Sequence, residues 1–337
     1  MKAAYVKSPW QFEVREVKLR DMGEDEVIVK VKACGICGSD LITAAGEAAD
    51  WQPFGHEIAG EVVEAGRHVQ NVKVGDAVVL ESGTFDRFCN NCRNGRVDLC
   101  NTGPNYWLKG PMGFSEYILA PKECMVPMGS LSFKQASIVE PLGVAVDLLY
   151  TADVKLNDDV LVIGMGPIGL MALRLARAAG ARKIYAAQRS TGKRRIELAK
   201  QFGADEIILT DQVDLESYPF ARKGVDRVLV TAPPSLIPSA LKVTNMGGIV
   251  AFIGIEYGPK AAITFDANDF HFKKLQLRAS FASPALYFPR SIELIESSVI
   301  DADAMISHTF KLDEIEKAMK LLRDDRATTV KVVMLSD

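Results

Sequence analysis

No apolar run in this chain approaches the length of a bilayer span, and neither sign of charge is in large surplus. Its 40 Lys and Arg face 43 Asp and Glu, for a net charge of −3. The first absence argues against a membrane-spanning helix. The second removes the electrostatic case for binding nucleic acid or an anionic membrane. Internal repeats and low-complexity tracts are missing too, which excludes a repeat array. Cysteine is scarce, with six in 337 residues, and three of these crowd between Cys89 and Cys100. That clustering suits metal better than a disulfide framework, so a reducing compartment, the cytoplasm, is expected. The opening Met1-Lys2-Ala3-Ala4-Tyr5 reads into a strand without the apolar core of a signal peptide. What is present is an ordinary globular composition, 48% hydrophobic and 25% charged. The length predicts two domains.

The first 140 residues read as short strands between turns: Phe12 to Val17, Glu26 to Val31, Ile58 to Val63 and Ala77 to Leu80. This pattern predicts a β-rich, barrel-like domain. The character changes at Glu140-Pro141. From there strands at 160–163, 183–187, 206–210, 226–231 and 249–253 alternate with helical stretches at 168–179, 193–202 and 235–245. Alternation of this kind predicts a doubly wound parallel sheet, α/β in class. A tail follows, with helices near 288–297 and over Asp313 to Arg323 and a last strand from Val330 to Met334. Asp313 and Glu316 have the spacing of a capping box at the start of the second helix.

Two groups of metal-ligand residue types stand out. In Asp86-Arg87-Phe88-Cys89-Asn90-Asn91-Cys92, with Cys100 further on, three thiols and a carboxylate can converge on one tetrahedral zinc. Upstream, Cys37 in Cys34-Gly35-Ile36-Cys37-Gly38-Ser39-Asp40 and the pair His56-Glu57 form a second set. A thiolate, an imidazole and a carboxylate leave a fourth zinc position open for water or substrate. Each part is weak alone, since an isolated cysteine is usually a buried small hydrophobe. Cys34 and Cys124 read as packed thiols, and His68, His271 and His308 lack ligand spacing.

The third signature is Gly164-Met165-Gly166-Pro167-Ile168-Gly169, preceded by the apolar run Val160 to Ile163 and followed by a helical pattern from Leu170. Strand, G-x-G-x-x-G and helix together are the context of a dinucleotide fingerprint, with pyrophosphate at the helix N-terminus. An NAD-specific site carries an acid about 20 residues on, binding the ribose 2′-hydroxyl. Here the second strand ends in Gln188-Arg189-Ser190, and no Asp or Glu occurs between Gly169 and Glu197. NADP is therefore expected over NAD, with Arg189 gripping the 2′-phosphate and Gln188 and Ser190 adding hydrogen bonds.

In this order, and with Gly75-Asp76, Gly113-Phe114-Ser115-Glu116-Tyr117, Glu140-Pro141-Leu142 and Phe202-Gly203-Ala204-Asp205, the chain resembles the zinc-dependent medium-chain dehydrogenase/reductase family. The match spans essentially the whole sequence and is nearest the polyol, sugar-alcohol and threonine dehydrogenase branch. The resemblance implies a GroES-like catalytic domain of residues 1–141 completed by 283–337, and a Rossmann cofactor domain of 142–282. It assigns catalytic zinc to Cys37, His56 and Glu57, with Glu140 direct or through water. It assigns structural zinc to Asp86, Cys89, Cys92 and Cys100, where the family normally has cysteine at the first position.

The chemistry implied is hydride transfer between an alcohol or ketone and a nicotinamide, with zinc acidifying the substrate hydroxyl. Ser39 matches the hydroxyl that takes the substrate proton, but Ile42 stands where many relatives have the next relay histidine. Relatives are commonly dimers or tetramers. A zinc-independent quinone or enone reductase lacks the Cys37, His56 and Glu57 set. A non-catalytic, redox-sensing NAD(P)-binding zinc protein stays open, supported by Ile42. The aromatics Trp51, Phe54, Tyr106 and Trp107 are candidate substrate walls or core.

Overall fold

The computed structural model describes residues 1–336, and the chain falls into two compact units. One comprises Met1–Gly143, Ala282–Asp325 and the segment from Lys331; the other comprises Val144–Phe281 and Arg326–Val330.

The first unit opens with β1 (Lys2–Lys7), β2 (Gln11–Glu16), β3 (Glu26–Gly35), β4 (Gln52–Pro53), β5 (Glu57–Ala65), β6 (Ala77–Leu80), β7 (Tyr117–Pro121) and β8 (Met125–Pro127). In the second unit follow β9 (Asp159–Ile163), β10 (Lys183–Gln188), β11 (Glu206–Leu209), β12 (Val225–Val230), β13 (Thr244–Phe252) and β14 (Gln276–Ala279). The chain then returns to the first unit with β15 (Ile306–Phe310) and β16 (Lys331–Leu335).

In the first unit β3 is the organising strand. Val27, Val29, Val31 and Ala33 alternate inward and are fully buried, the period-two pattern of a strand with one face on a core. Two register shifts bend β3, which pairs with β5 along its length, with β7 early and with β16 at its end. The sheet order is β15-β16-β3-β5-β6-β8, with β7 on β3, and a separate β2-β1-β4 sheet lies beside it in the same unit. Antiparallel pairing places Gly35 opposite Glu57, and β16 brings Val333 opposite Gly35. Three distant stretches of sequence meet at that point.

The second unit is an all-parallel sheet in the order β11-β10-β9-β12-β13-β14. In sequence terms this is 3-2-1-4-5-6, the Rossmann order. Its central strand β9 is buried at every residue, as expected for a strand covered on both faces.

Most expected elements are present within a residue or two. Two readings need correction. The stretch 235–245 is a 3₁₀ turn, Pro234–Leu236, and a short helix, Ile237–Val243; β13 begins at once at Thr244. The tail helix runs Ile315–Asp324 after a 3₁₀ turn, and its box uses Glu314 on the Lys311 amide at 3.2 Å. Asp313 instead pairs with Lys2 at 2.9 Å. Glu140-Pro141, where the character of the sequence changes, sits in the first turn of helix Val139–Ala152. Proline is tolerated there because first-turn amides have no intrahelical acceptor.

Candidate functional site

The first group forms where β3 ends and β5 begins. After Gly35 the chain turns into helix Gly38–Ile42, whose N-cap is Cys37; the Cys37 amide donates to Asp40 Oδ2 at 2.9 Å. His56 and Glu57 lead into β5. One ligand atom from each of Cys37, His56 and Glu57 lies within 4.8 Å of the others. His56 Nδ1 and Glu57 Oε1 are buried without a hydrogen-bond partner, while Glu57 Oε2 faces Lys331 Nζ. Orphaned buried polar atoms are costly unless something else satisfies them. A thiolate, imidazole and carboxylate converging in this way suit zinc.

Charge holds the group together. Lys331 Nζ, almost fully buried, forms an ion pair with Glu57 and donates to Ile36 O at 3.0 Å. Burial opposes the charge on Lys331, but Glu57 and then Cys37 carry its pKa above the ordinary value. Burial would likewise lower the His56 pKa, yet the Cys37 sulfur, with Glu140 and Asp40, takes it well above the usual imidazole range. Glu140 is pushed up to about 7 by burial, against the pull of His56. A Cβ at Gly35 would overlap the Glu57 carboxylate and the Lys331 side chain, so glycine is required there.

Glu140 lies outside the set of mutually close ligand atoms. Ser39 is half-buried in the Gly38–Ile42 helix, and its hydroxyl makes no hydrogen bond among the described residues. Of the aromatics, Phe54 is core, 4.7 Å from Phe114 between ring centroids. Tyr106 is buried and donates to His56 O at 3.2 Å. Trp51 lies under Arg15. Only Trp107 both flanks the group, 5.3 Å from the His56 ring, and stays about half exposed. Cys34 and Cys124 are packed thiols, as expected.

The second group is local. One ligand atom each from Asp86, Cys89, Cys92 and Cys100 again lies within 4.8 Å of the rest. Cys89 caps the turn Asn90–Arg93, and its sulfur accepts from the Cys92 amide at 3.5 Å. Asp86 Oδ1 accepts from the Phe88 and Cys89 amides at 2.7 and 2.9 Å, while Oδ2 accepts from Thr102. The Cys89 amide foremost, then Thr102, holds its carboxyl well below the usual range, so it is anionic. Carboxylate oxygens retain lone pairs after such contacts.

In the second unit, Gly164 takes φ +95° and a Cβ on Gly169 would overlap the Gly164 carbonyl. Gly166 caps helix Pro167–Ala178, and a Cβ there would meet no protein atom within 4 Å. The loop is thus tight behind and open in front, the shape that admits a pyrophosphate to the Pro167 and Ile168 end of the helix. Gln188 Oε1 accepts from the Met165 amide at 3.1 Å and so braces this loop.

Two family models match: the alcohol dehydrogenase GroES-like domain over residues 23–130 and the zinc-binding dehydrogenase domain over 167–297. Sorbitol dehydrogenase of Bacillus subtilis is 30% identical over 99% of this chain and 97% of its own length. The chain belongs to the zinc-dependent medium-chain dehydrogenase family. It is an alcohol-dehydrogenase-type oxidoreductase, and zinc and a nicotinamide cofactor go with that membership. Among solved structures, a short chain alcohol dehydrogenase from Escherichia coli CFT073 complexed with NADH has a TM-score of 0.89 at 27% identity, covering 100% of this chain and 99% of that one. A chain from Sinorhizobium meliloti 1021 assigned as a zinc-binding dehydrogenase and bound to NADP has 0.88 at 29%, covering 99% of each. No helix of this dehydrogenase is long and apolar enough to cross a membrane among the described residues.

The dehydrogenase has three site residues that motif reading passed over. Lys331 announces itself only as a lysine inside an apolar strand, Val330 to Met334, which demands an acidic partner. Asp40, the last residue of the Cys34-to-Asp40 stretch, caps the Cys37 amide, and its Oδ1 lies 4.0 Å from His56 Nδ1. Asp211 accepts from Ser190, from its amide at 2.8 Å and its hydroxyl at 2.5 Å. The stretch Gly169 to Glu197 contains no acid, yet the next strand delivers one to its end.

Proposed function

We propose that this dehydrogenase oxidises a secondary alcohol of a polyol, sugar, cyclitol or amino alcohol, or reduces the matching ketone, using NADP in preference to NAD. The observation that carries the reading is the close set of Cys37, His56 and Glu57, with a buried imidazole nitrogen that has no hydrogen-bond partner and a buried carboxylate paired with Lys331. These residues would hold the catalytic zinc, with Glu140 direct or through water. Zinc supplies Lewis acidity that lowers the pKa of the substrate hydroxyl.

The chain's own residues do the rest. Lys331 and Asp40 fix the Glu57 and Cys37 ends of the group. Ser39, with its hydroxyl uncommitted, takes the substrate proton. Ile42 cannot pass it on, so the proton leaves through water, Thr43 or another path. Trp107 offers an aromatic face to the carbon skeleton, as sugars and polyols stack on such rings. Residues 1–141 with 283–337, except the 326–330 segment that goes with the second unit, act as the catalytic domain, and 142–282 as the cofactor domain.

Gly164, Gly166, Pro167, Ile168 and Gly169 hold the pyrophosphate, and Gln188, Arg189 and Ser190 the adenosine ribose. The Arg189 guanidinium makes no hydrogen bond or ion pair among the described residues, which leaves it available to a 2′-phosphate. Asp86, Cys89, Cys92 and Cys100 hold a second, structural zinc, and the enzyme works as a dimer or tetramer.

The test is turnover on a panel of polyols, cyclitols and amino alcohols, with kcat/KM for both cofactors before and after Arg189→Ala. Activity on this panel with an NADP preference lost in Arg189→Ala supports the reading. A preference for NAD that Arg189→Ala leaves unchanged refutes the cofactor assignment.

A further inference from the structure

Ser190 is the one residue at the end of β10 whose amide and hydroxyl both point at an anion already supplied by the protein. Parallel pairing sets Gln188 against Leu209, and the Thr210 amide donates to Gln188 O at 3.1 Å. Asp211 therefore stands beside Ser190, with one carboxylate oxygen on the Ser190 amide and the other on its hydroxyl. The same two donors would suit a terminal phosphate. Asp211 is exposed, and the Ser190 amide and hydroxyl hold its carboxylate. The Ser190 hydrogen bonds, and less strongly the Arg189 charge, hold its carboxyl below the usual range and keep it ionised.

We infer that Asp211 is the specificity-determining residue of the cofactor site: its carboxylate occupies the Ser190 donors and opposes a 2′-phosphate, while leaving a 2′-hydroxyl unopposed. This rests on the reading above that the ribose lies at the end of β10. Asp211 and Arg189 then act against each other, the acid from β11 favouring NAD and the base from β10 favouring NADP. The ratio of the two affinities reports the balance. A 2′-phosphate binds by displacing the Asp211 carboxylate from Ser190, whereas a 2′-hydroxyl can donate to that carboxylate where it stands.

The experiment is fluorescence titration of NADPH and NADH into the full-length protein, for the natural chain and for Asp211→Asn, Asp211→Ser and Arg189→Ala, with thermal melts as the check on folding. Removing one like charge at this range is expected to tighten NADPH about tenfold, and to leave NADH unchanged or up to about threefold weaker. Asp211→Ser, which restores a small hydroxyl to face Ser190, is expected to move the ratio the same way. An unchanged NADPH to NADH ratio in both Asp211 variants overturns the inference. Equal weakening of both nucleotides also overturns it, because Asp211 then only supports the turn. In either event Arg189→Ala separates the two claims. If it weakens NADPH selectively, the ribose placement stands and only the role of Asp211 fails. If it changes neither affinity, the placement itself fails.

Discussion

Between Asp86 and Cys100 a single loop gathers four ligand atoms, helped by a short turn capped by Cys89 and by amides that fold back onto Asp86. Cys37, His56 and Glu57 are gathered instead by the pairing of β3 with β5, and a lysine from β16 closes the back of the group. The loop group is partly exposed, and its Cys92 thiol is pushed up to about 12, by burial and then by its neighbour Cys89. In the sheet group His56 and Glu57 are buried, Cys37 is half-buried, and the surroundings are crowded with charge. In the first case the metal would hold the polypeptide together; in the second the polypeptide holds the ligands ready. The stability of the one is then tied to metal, and that of the other to a buried ion pair.

The largest expected effect comes from breaking the sheet group at its thiol. Cys37→Ala should lower kcat about a thousandfold or more, remove one metal ion per chain, and leave nucleotide binding intact. Metal analysis beside fluorescence titration checks this, and full activity in the variant would sink the assignment. Next is the frame behind the ligands. Lys331→Met should strand the Glu57 carboxylate and cost about 3–5 kcal/mol in chemical denaturation. An unchanged unfolding midpoint would show that the pair contributes little.

The loop group should behave in the opposite way. Cys92→Ser should release its zinc and lower the thermal midpoint by roughly 5–10 °C, while kcat changes only a fewfold. If metal analysis finds a single ion per natural chain and the midpoint does not move, the aspartate marks a site that no longer binds. The smallest effect lies at the foot of this loop, at Glu81, just past β6. Its carboxyl is almost fully buried, and burial pushes its pKa up to about 8, from an ordinary value of 4.5. The folded state therefore keeps a proton that the unfolded chain releases. Stability from this source is complete below pH 4.5, falls as pH rises towards 8, and is lowest beyond it. Glu81→Gln should flatten the decline, a difference of about 1–3 kcal/mol between pH 5 and pH 9 in urea melts. Parallel pH profiles for the two proteins would contradict it.

The comparison also explains what could be read in advance. Ligands from one loop are visible as spacing, and so is the strand–glycine–helix context of Gly164 to Gly169, because each is a local matter of turns and chain direction. Glu140 shows the weakness of local reading, since residues before proline are biased towards extended backbone and this one stands in the first turn of a helix. Lys331 and Asp211 show its limit. Neither has a partner nearby in sequence, and each acquires one only through strand pairing: Lys331 with Glu57 through β16 and β3, Asp211 with Ser190 through β11 and β10.

The amino-acid sequence by itself determined the two-unit plan, the family, the residue types that can bind zinc and the glycine loop that can admit a dinucleotide, since periodicity and spacing encode these within a few turns of chain. Only the tertiary structure decided which acid balances which base. Registers of the sheets set those pairs, and a one-residue slip in β3 or β10 would put different side chains face to face. The electrostatics of the metal group and of the ribose end of the cofactor site are therefore properties of strand pairing rather than of motif.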